Sequence, residues 1–227
     1  MAPNNMICDN EIAPYLVCIP VCGNEESLFD ATLQSIVSNT VMETSILVIS
    51  LGANQELLSF YKEKTVSFGK KIHWIIVEVL EPCLPFLALC HLPSQYSNYD
   101  VILVLPGVEV PHGWDARLAL AAMENEKIAS VSPLCDISPL FALLDQGCTK
   151  DLDFLVIDNL VYALGQKRSI EVPVLLCGCV YLRRLALDMV WLGLLNRKIP
   201  GLGKFCGALA KEFNFIGFHN VCCDHVY

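Results

Sequence analysis

Runs of apolar residues alternate along this chain with stretches in which apolar residues recur at helical spacing. Residues 15–20 (YLVCIP) form a continuous apolar run, the pattern of a strand buried on both faces. The stretch that follows has the apolar stripe of an amphipathic helix, made of Phe29, Leu33, Ile36 and Val37. The same two patterns alternate through the first half of the chain and continue less regularly through the second. They predict an α/β fold with a mostly parallel sheet flanked by helices.

The predicted elements define one edge of the sheet as a ligand site. The predicted strands are residues 15–20, 44–50, 72–79, 101–105, 128–132, 172–182 and 215–223. The predicted helices after the first are residues 55–68, 84–92, 114–125, 151–164, 184–194 and 201–212. Ligands of open α/β sheets bind beyond the carboxyl ends of the strands. We therefore expect a nucleotide site where the first, second and fourth strands end, at residues 21–23, 51–54 and 106–109.

Composition limits the class of protein. Of 227 residues, 54% are hydrophobic and 17% are charged, which predicts a large core in one domain or two closely joined halves. The formal net charge is -9 and no run of Lys or Arg stands out, so a nucleic-acid partner is not expected. An acidic chain can still hold a nucleotide through backbone amides or a metal ion.

Cysteine usage and hydropathy indicate a cytoplasmic protein without a transmembrane segment. The 12 cysteines do not form paired CxxC knuckles, and Cys18, Cys177 and Cys179 lie in apolar runs, where thiols act as small hydrophobes. No signal peptide precedes the first strand, which favours a reducing compartment. Arg183, Arg184 and Asp188 interrupt the longest apolar stretch. Peripheral contact with a membrane is compatible with this pattern.

Several motifs, in order, resemble the family 2 glycosyltransferases. Residues 17–25 (VCIPVCGNE) resemble the family's opening V-x-I-P-x-Y-N, and residues 46–54 (ILVISLGAN) its strand ending in V-D-[DN]-G-S. Residues 108–118 (VEVPHGWDARL) resemble the V-x-P-x-G-W-x-x-x-L that follows the family's Asp-x-Asp pair. Residues 178–190 (GCVYLRRLALDMV) resemble its G-x-x-x-x-x-R-R segment. The resemblance spans residues 15–227 and implies a GT-A-like fold with a Rossmann-like nucleotide-binding half.

The resemblance implies transfer of a sugar from a nucleotide-diphosphate sugar to a glycan, lipid or protein acceptor, with a divalent cation, Mg2+ or Mn2+. It divides the chain into a lead-in at 1–14, a nucleotide-sugar-binding half at 15–133 and an acceptor-binding half at 134–227. The residues that it assigns to nucleotide binding are Pro20, Val21, Cys22, Asn24, Glu25, Ser50, Gly52, Pro106 and Gly107.

The expected carboxylates are largely replaced in this chain. Pro106, Gly107 and Val108 stand where the family has its Asp-x-Asp pair, which leaves a degenerate DXD motif with Glu109 as the nearest acid. Ser50 and Leu51 replace the acids after the second strand, and residues 201–211 contain none. The alternative function is therefore a catalytically degenerate domain that binds nucleotide or a protein partner without turnover.

The remaining candidates each have a second interpretation. For the metal we name Glu109 and His225, which can also be solvated surface residues. For the catalytic base we name Asp136, whose alternative is a loop cap through Ser138. Asp115 is a weaker candidate, since it falls in the first turn of a predicted helix.

Charged residues of the second half also have two interpretations. Arg183 and Arg184 can bind a diphosphate or be surface charges. Asp151, Asp153 and Asp158 lie on the polar side of a predicted helix and are interpreted as solvated.

Overall fold

Eight strands form one mixed sheet in the described part of the chain. The computed structural model describes residues 13–22, 26–51, 56, 59, 62, 63, 66, 72–77, 85–134, 154–164, 169–175, 178–197, 199 and 201–226. The strands are β1 (Tyr15–Cys22), β2 (Ser45–Leu51), β3 (Ile72–Val77), β4 (Asp100–Val104), β5 (Ile128–Leu134), β6 (Ile170–Glu171), β7 (Cys179–Leu182) and β8 (His219–Val226). The helices are α1 (Glu26–Asn39), α2 (Trp114–Met123), α3 (Phe154–Leu164), α4 (Arg184–Leu195) and α5 (Leu202–Phe215).

The order of the strands across the sheet is β3-β2-β1-β4-β7-β5-β8-β6. β3, β2, β1 and β4 are parallel, and β5 and β8 are parallel to each other. β7 lies antiparallel between β4 and β5, and β6 is antiparallel to β8 at the far margin. The predicted α/β architecture with a mostly parallel sheet is confirmed, and the two halves proposed from the sequence share this one sheet.

The apolar strands bury both faces of the sheet, as their composition predicts. Alternate residues of β1 contribute to two clusters, with Val17 and Ile19 on one face and Leu16 and Cys18 on the other. The first cluster also contains the predicted α1 stripe, Phe29, Leu33 and Ile36, with Val37 packed against it, together with Trp114 and Leu118 of α2. The second contains residues of α4 and α5, among them Leu187, Val190, Phe205 and Leu209.

Some predicted elements are shorter than expected or differ in type. The sequence predicts a helix at residues 84–92, and Pro85–His91 is a 3-10 helix, a form that short helical segments commonly take. The predicted strand 172–182 is reduced to Cys179–Leu182, since Pro173 lacks the N–H that a ladder needs and the chain bends there. The last strand begins at His219 because α5 continues to Phe215.

Asp158 differs from its interpretation as a solvated residue. Its carboxylate is buried and forms an ion pair with Arg117 of α2, with Nη1 to Oδ1 at 3.0 Å and Nη2 to Oδ2 at 3.1 Å. The Arg117 guanidinium also lies 5.3 Å from the centre of the Tyr162 ring. Asp158 therefore joins α3 to α2, while Asp151 and Asp153 lie outside the described residues.

Candidate functional site

The carboxyl ends of the parallel strands converge on one edge of the sheet, which we call the carboxyl edge. β1, β2 and β4 end there, as expected from the sequence, and β5 and β8 run in the same direction. β7 runs the other way, so its first residues lie at this edge, where Leu105 N donates to Gly178 O at 2.8 Å. Loops from both halves of the sequence therefore meet at one edge.

The predicted nucleotide-binding residues of β1 and β2 are neighbours in register. Pro20 is paired with Ile49, Val21 with Ser50, and Cys22 with Leu51. The side chains of Pro20 and Val21 are buried. Three further members of the predicted set, Asn24, Glu25 and Gly52, lie outside the described residues.

Ser50 of β2 is the residue in register with Val21 of β1. Its side chain is fully buried, and its hydroxyl has no hydrogen-bond partner among the described residues. A buried hydroxyl without a partner costs roughly 1–3 kcal/mol, so such groups are uncommon in folded proteins. Ser50 thus offers an unused donor and acceptor close to the end of β2.

The turn after β4 is held in place by helix α1. Gly107 adopts a φ of 94°, a left-handed conformation that favours glycine. Its N–H donates to Thr32 Oγ1 at 2.8 Å and also approaches Leu28 O at 3.3 Å. On the other side, Val108 lies against Gly178, where an added Cβ would come within 3.3 Å of Val108 Cγ2. Pro106 and Gly107 are therefore fixed between α1 and the start of β7.

The same face of α1 continues to hold the chain beyond the turn. Val110 N donates to Ser35 Oγ at 3.2 Å, and Asn39 Nδ2 donates to Val110 O at 2.7 Å. Near the end of α1, Trp114 Nε1 donates to Thr40 Oγ1 at 3.2 Å. We call these side chains the polar stripe of α1, and its members are Thr32, Ser35, Asn39 and Thr40.

The two metal candidates lie on different elements of the fold, Glu109 in the segment after β4 and His225 on β8. Glu109 is exposed and follows the turn after β4. His225 lies near the end of β8, where the neighbouring Val226 is paired with Leu134 of β5. β7 and β5 lie between β4 and β8, so the backbones of β4 and β8 are about 14 Å apart at the usual strand spacing. The catalytic candidate Asp136 lies outside the described residues.

The described side chains do not by themselves make up a cation site. Within the described ranges, no group of three or more His, Cys, Asp or Glu side chains could hold a metal ion. Glu109 supplies one exposed carboxylate, which is fewer oxygen ligands than a divalent cation requires. A cation at this edge would need further oxygen ligands beyond the described side chains.

Asp115 is structural, and the geometry does not suit it to act as a base. Its carboxylate is fully buried and accepts hydrogen bonds from Tyr15 Oη at 2.9 Å, Val41 N at 3.2 Å and Met42 N at 3.1 Å. Tyr15 begins β1, so this group lies at the opposite edge, which we call the amino edge. Burial, followed by the negative charge of Asp115, raises the pKa of Tyr15 well above its ordinary value.

Asp100 forms a second buried pair at the amino edge. Its carboxylate accepts hydrogen bonds from the hydroxyl of Tyr181 and from Arg184 N, the latter at 2.7 Å. Burial and then the Asp100 charge raise the pKa of Tyr181. Both tyrosines therefore stay protonated and hold the carboxylates that fix the beginnings of β1 and β4.

Arg183 and Arg184 do not lie at the carboxyl edge, which corrects their interpretation as diphosphate ligands. β7 is antiparallel, so the residues after it lie at the amino edge. Arg183 donates from Nε to Ile128 O at 2.6 Å and from Nη2 to Asn125 O at 3.2 Å. Arg184 Nε lies 2.9 Å from Asp188 Oδ1. Arg183 therefore binds the carbonyls that follow α2, and Arg184 is paired within its own helix.

Two features of the site were not identified from the sequence. The polar stripe of α1 has a readable signal, because Thr32, Ser35 and Asn39 recur at a spacing of three and four residues beside the apolar stripe. The unused hydroxyl of Ser50 has no such signal, since its lack of a partner depends on the residues packed around it. The burial of Cys18 and Cys179 as small hydrophobes is confirmed, and Cys177 lies outside the described residues.

Solved structures of glycosyltransferases share this architecture. GalNAc-T7, solved with UDP, GalNAc and Mn2+, matches with a TM-score of 0.67 and 15% identity over 96% of this chain and 45% of its own. The mannosyltransferase PcManGT from Pyrobaculum calidifontis, in complex with GDP-Man and Mn2+, has a TM-score of 0.59 and 14% identity over 96% of this chain and 59% of its own. TarS of S. aureus has a TM-score of 0.54 and 12% identity over 92% of this chain and 35% of its own.

The chain has the GT-A glycosyltransferase fold. It spans less than two thirds of the length of each of these three proteins, and at such low identity the likeness shows the fold alone. No protein-family model and no curated protein sequence matches the chain. None of the described helices has the length and apolar character needed to cross a bilayer.

Proposed function

We propose that the protein is a glycosyltransferase of the family 2 type, which moves a sugar from a nucleotide-diphosphate sugar to a glycan, lipid or protein acceptor. The observation that carries this proposal is the carboxyl edge of a GT-A sheet, where β1, β2 and β4 end together beside the fixed turn at Gly107. The nucleotides in the structures of GalNAc-T7 and PcManGT, UDP and GDP-Man, support the choice of donor class.

In this proposal the residues of the first half hold the nucleotide. The backbone at Pro20, Val21, Cys22, Asn24 and Glu25 contacts the base and ribose, with the Ser50 hydroxyl and Gly52 beside them. Pro106 and Gly107 bring the backbone of the turn close to the diphosphate, because Gly107 has no side chain to obstruct it. The second half, residues 134–227, receives the acceptor.

The chemical step requires a base for the acceptor hydroxyl and neutralisation of the leaving diphosphate. We assign the base to Asp136, which follows β5 in the sequence, and the metal contacts to Glu109 and His225. When bound, Mg2+ or Mn2+ would neutralise the diphosphate.

Calorimetric titration with UDP, with and without Mn2+, tests this proposal. We expect binding that depends on Mn2+, and a loss of about tenfold or more in affinity for Glu109→Gln, since a charged ligand contributes about 1.4 kcal/mol or more. Glu124→Gln is the matched control, because Glu124 is also exposed but follows α2, close to the amino edge. Absence of binding to both UDP and GDP, at any Mn2+ concentration, would contradict the proposal.

The alternative is a degenerate domain that binds nucleotide or a protein partner without turnover. It is favoured by one specific observation: the first turn of α5, where the resemblance leads us to expect an acid, contains none. Release of UDP from a UDP-sugar, measured with and without Asp136→Asn, separates the two proposals. UDP release that Asp136→Asn abolishes supports the enzyme, whereas tight UDP binding without release supports the degenerate domain. The cytoplasmic location remains a prediction.

A further inference from the structure

Helices α4 and α5 cover the sheet face opposite α1 and α2. Their inner residues, including Leu187 and Val190 of α4 and Phe205 and Leu209 of α5, belong to one buried cluster. Trp114 and Leu118 of α2 belong to the cluster on the other face. The outward sides of α4 and α5 therefore share one side of the molecule.

Large apolar side chains are exposed on the outward side of both helices. On α4, Leu185, Met189 and Leu192 are spaced four and three residues apart, with exposed fractions of 64%, 58% and 74%. On α5, Lys204, Lys211 and Phe215 are spaced seven and four residues apart, and Phe215 is 86% exposed. We call these six residues the outer face. No described residue of the chain covers its apolar side chains, which is unusual for a contiguous helical line.

The segment that carries the outer face is basic in an otherwise acidic chain. Residues 184–215 contain five Lys and Arg against two Asp and Glu, whereas the rest of the chain contains ten against twenty-two. Both acids of the segment are already paired, Asp188 with Arg184 and Glu212 with Arg197. Lys204 and Lys211 are exposed, and in the described part of the chain neither forms an ion pair. Positive charge is therefore concentrated beside the exposed apolar line.

We propose that the outer face docks on an anionic lipid bilayer. Leu185, Met189, Leu192 and Phe215 would enter the boundary between headgroups and acyl chains, while Lys204 and Lys211 contact anionic headgroups. Self-association through the same face is disfavoured, because it would bring the lysines of two copies together without acids to match them.

This inference is independent of the proposed function. The outer face lies on a face of the sheet, whereas the candidate nucleotide site lies at the carboxyl edge. Docking through the face leaves that edge open along the membrane surface. Loss of membrane binding would therefore leave UDP binding intact, and the two proposals can fail separately.

Co-sedimentation of the protein with phosphatidylcholine vesicles, with and without phosphatidylserine, tests the docking. We expect binding to the vesicles that contain phosphatidylserine, and weakening of that binding as salt is added. The double variant Met189→Glu with Leu192→Glu should lose binding by about tenfold or more, since two charges replace inserted apolar groups. Leu160→Glu is the matched control. Leu160 is 52% exposed on α3, which is joined to α2 on the other side of the sheet.

A charge-reversal pair tests the lysines. Lys204→Glu with Lys211→Glu should lower binding to phosphatidylserine vesicles about tenfold, whereas Lys62→Glu with Lys127→Glu, which changes net charge equally at other exposed positions, should have little effect. Circular dichroism confirms that each variant is folded. Three results would overturn the proposal: no vesicle binding, equal loss in the control variants, or a dimer in sedimentation velocity that Leu192→Glu dissociates.

Discussion

Polar side chains at the two edges of the sheet differ in burial and in hydrogen bonding. At the amino edge, Asp100 and Asp115 are buried, and each accepts hydrogen bonds from a tyrosine hydroxyl and from backbone N–H groups. Near the carboxyl edge, the Ser50 hydroxyl is buried without a partner among the described residues, and Glu109, beyond the turn after β4, is exposed.

We interpret this difference as a division of roles, in which the amino edge stabilises the fold and the carboxyl edge is available for ligand binding. Carboxylates with several donors are costly to remove, because the donors would be left unsatisfied in the interior. A buried polar group without internal partners opposes folding, and its hydrogen-bonding capacity is available to a ligand. The predictions below test this separation, which fails if the carboxyl edge proves as important for stability as the amino edge.

Removal of the Asp115 carboxylate should have the largest effect on the free energy of unfolding. Asp115→Ala leaves one buried and two partly buried donors without an acceptor, and we expect the free energy of unfolding to fall by roughly 3 kcal/mol. Urea denaturation of Asp115→Ala beside Glu124→Ala measures it, because Glu124 is exposed and its loss should change stability by less than about 0.5 kcal/mol. Equal stability of the two variants would contradict the assigned role.

The second-largest effect on stability is expected from alkaline pH, through Tyr15 and Tyr181 at the amino edge. The pKa values of Tyr15 and Tyr181 are raised in the folded protein, so both remain protonated while the unfolded chain ionises above about pH 10. Their stabilisation is complete below that pH and is lost above it, by up to about 1.4 kcal/mol per pH unit for each tyrosine.

Urea midpoints measured at increasing pH test this dependence. The double variant Tyr15→Phe with Tyr181→Phe should show a shallower decline above pH 10 than the wild-type protein. Burial also raises the pKa of Cys18, whose contribution has the same sign and is present in both proteins. Identical slopes would mean that the tyrosines are not the cause.

Substitution of Gly107 should have an intermediate effect. Its φ of 94° is unfavourable for any residue with a Cβ, so Gly107→Ala should cost about 1–2 kcal/mol. Steric conflict is not the reason, because the nearest side-chain atom, Leu28 Cδ2, would lie 3.7 Å from the new Cβ. Gly193→Ala is the control. Gly193 lies within α4 with no neighbour within 4 Å, and alanine there should stabilise by up to about 1 kcal/mol.

The smallest expected changes in stability are those of alanine substitutions at two buried serines, Ser130 and Ser50. Ser130 Oγ donates to Asn220 Oδ1 at 2.8 Å, so Ser130→Ala should cost about 1 kcal/mol. Ser50→Ala removes a buried hydroxyl without a described partner, together with the cost of burying it, and should raise the free energy of unfolding by about 1 kcal/mol. Thermal denaturation of both variants measures the difference. A cost at Ser50 equal to that at Ser130 would show that Ser50 is hydrogen-bonded in the folded protein.

The half of the fold built from parallel strands could be predicted because each strand is buried on both faces. The runs at 15–20 and 44–50 leave no other interpretation of their apolar character, and the turns that follow them lie at one edge as expected. The direction of β7 could not be predicted in this way. A four-residue buried strand has the same pattern in either direction, and its reversal moved Arg183 and Arg184 to the amino edge.

Contacts between elements that are distant in the sequence also could not be predicted from it. Asp158 has the local pattern of a solvated helix residue, and only the packing of α3 beside α2 brings Arg117 to it. Asp115 was correctly placed in the first turn of a helix, but its three donors come from β1 and from the segment after α1. At the site itself, the turn at Gly107 could be located from the sequence, whereas the roles of Glu109, Asp136 and His225 remain predictions.

The polar stripe of α1 holds the turn after β4, and the segment beyond it, through main-chain atoms. Thr32 binds the backbone N–H of Gly107, while Ser35 and Asn39 bind the backbone N–H and C=O of Val110. These contacts use only main-chain atoms of the turn and of Val110, so they do not depend on the side chain at 106, whereas Gly107 is needed for its positive φ and Val108 packs against the core. An engineered carboxylate at 106 would therefore begin from an already positioned backbone.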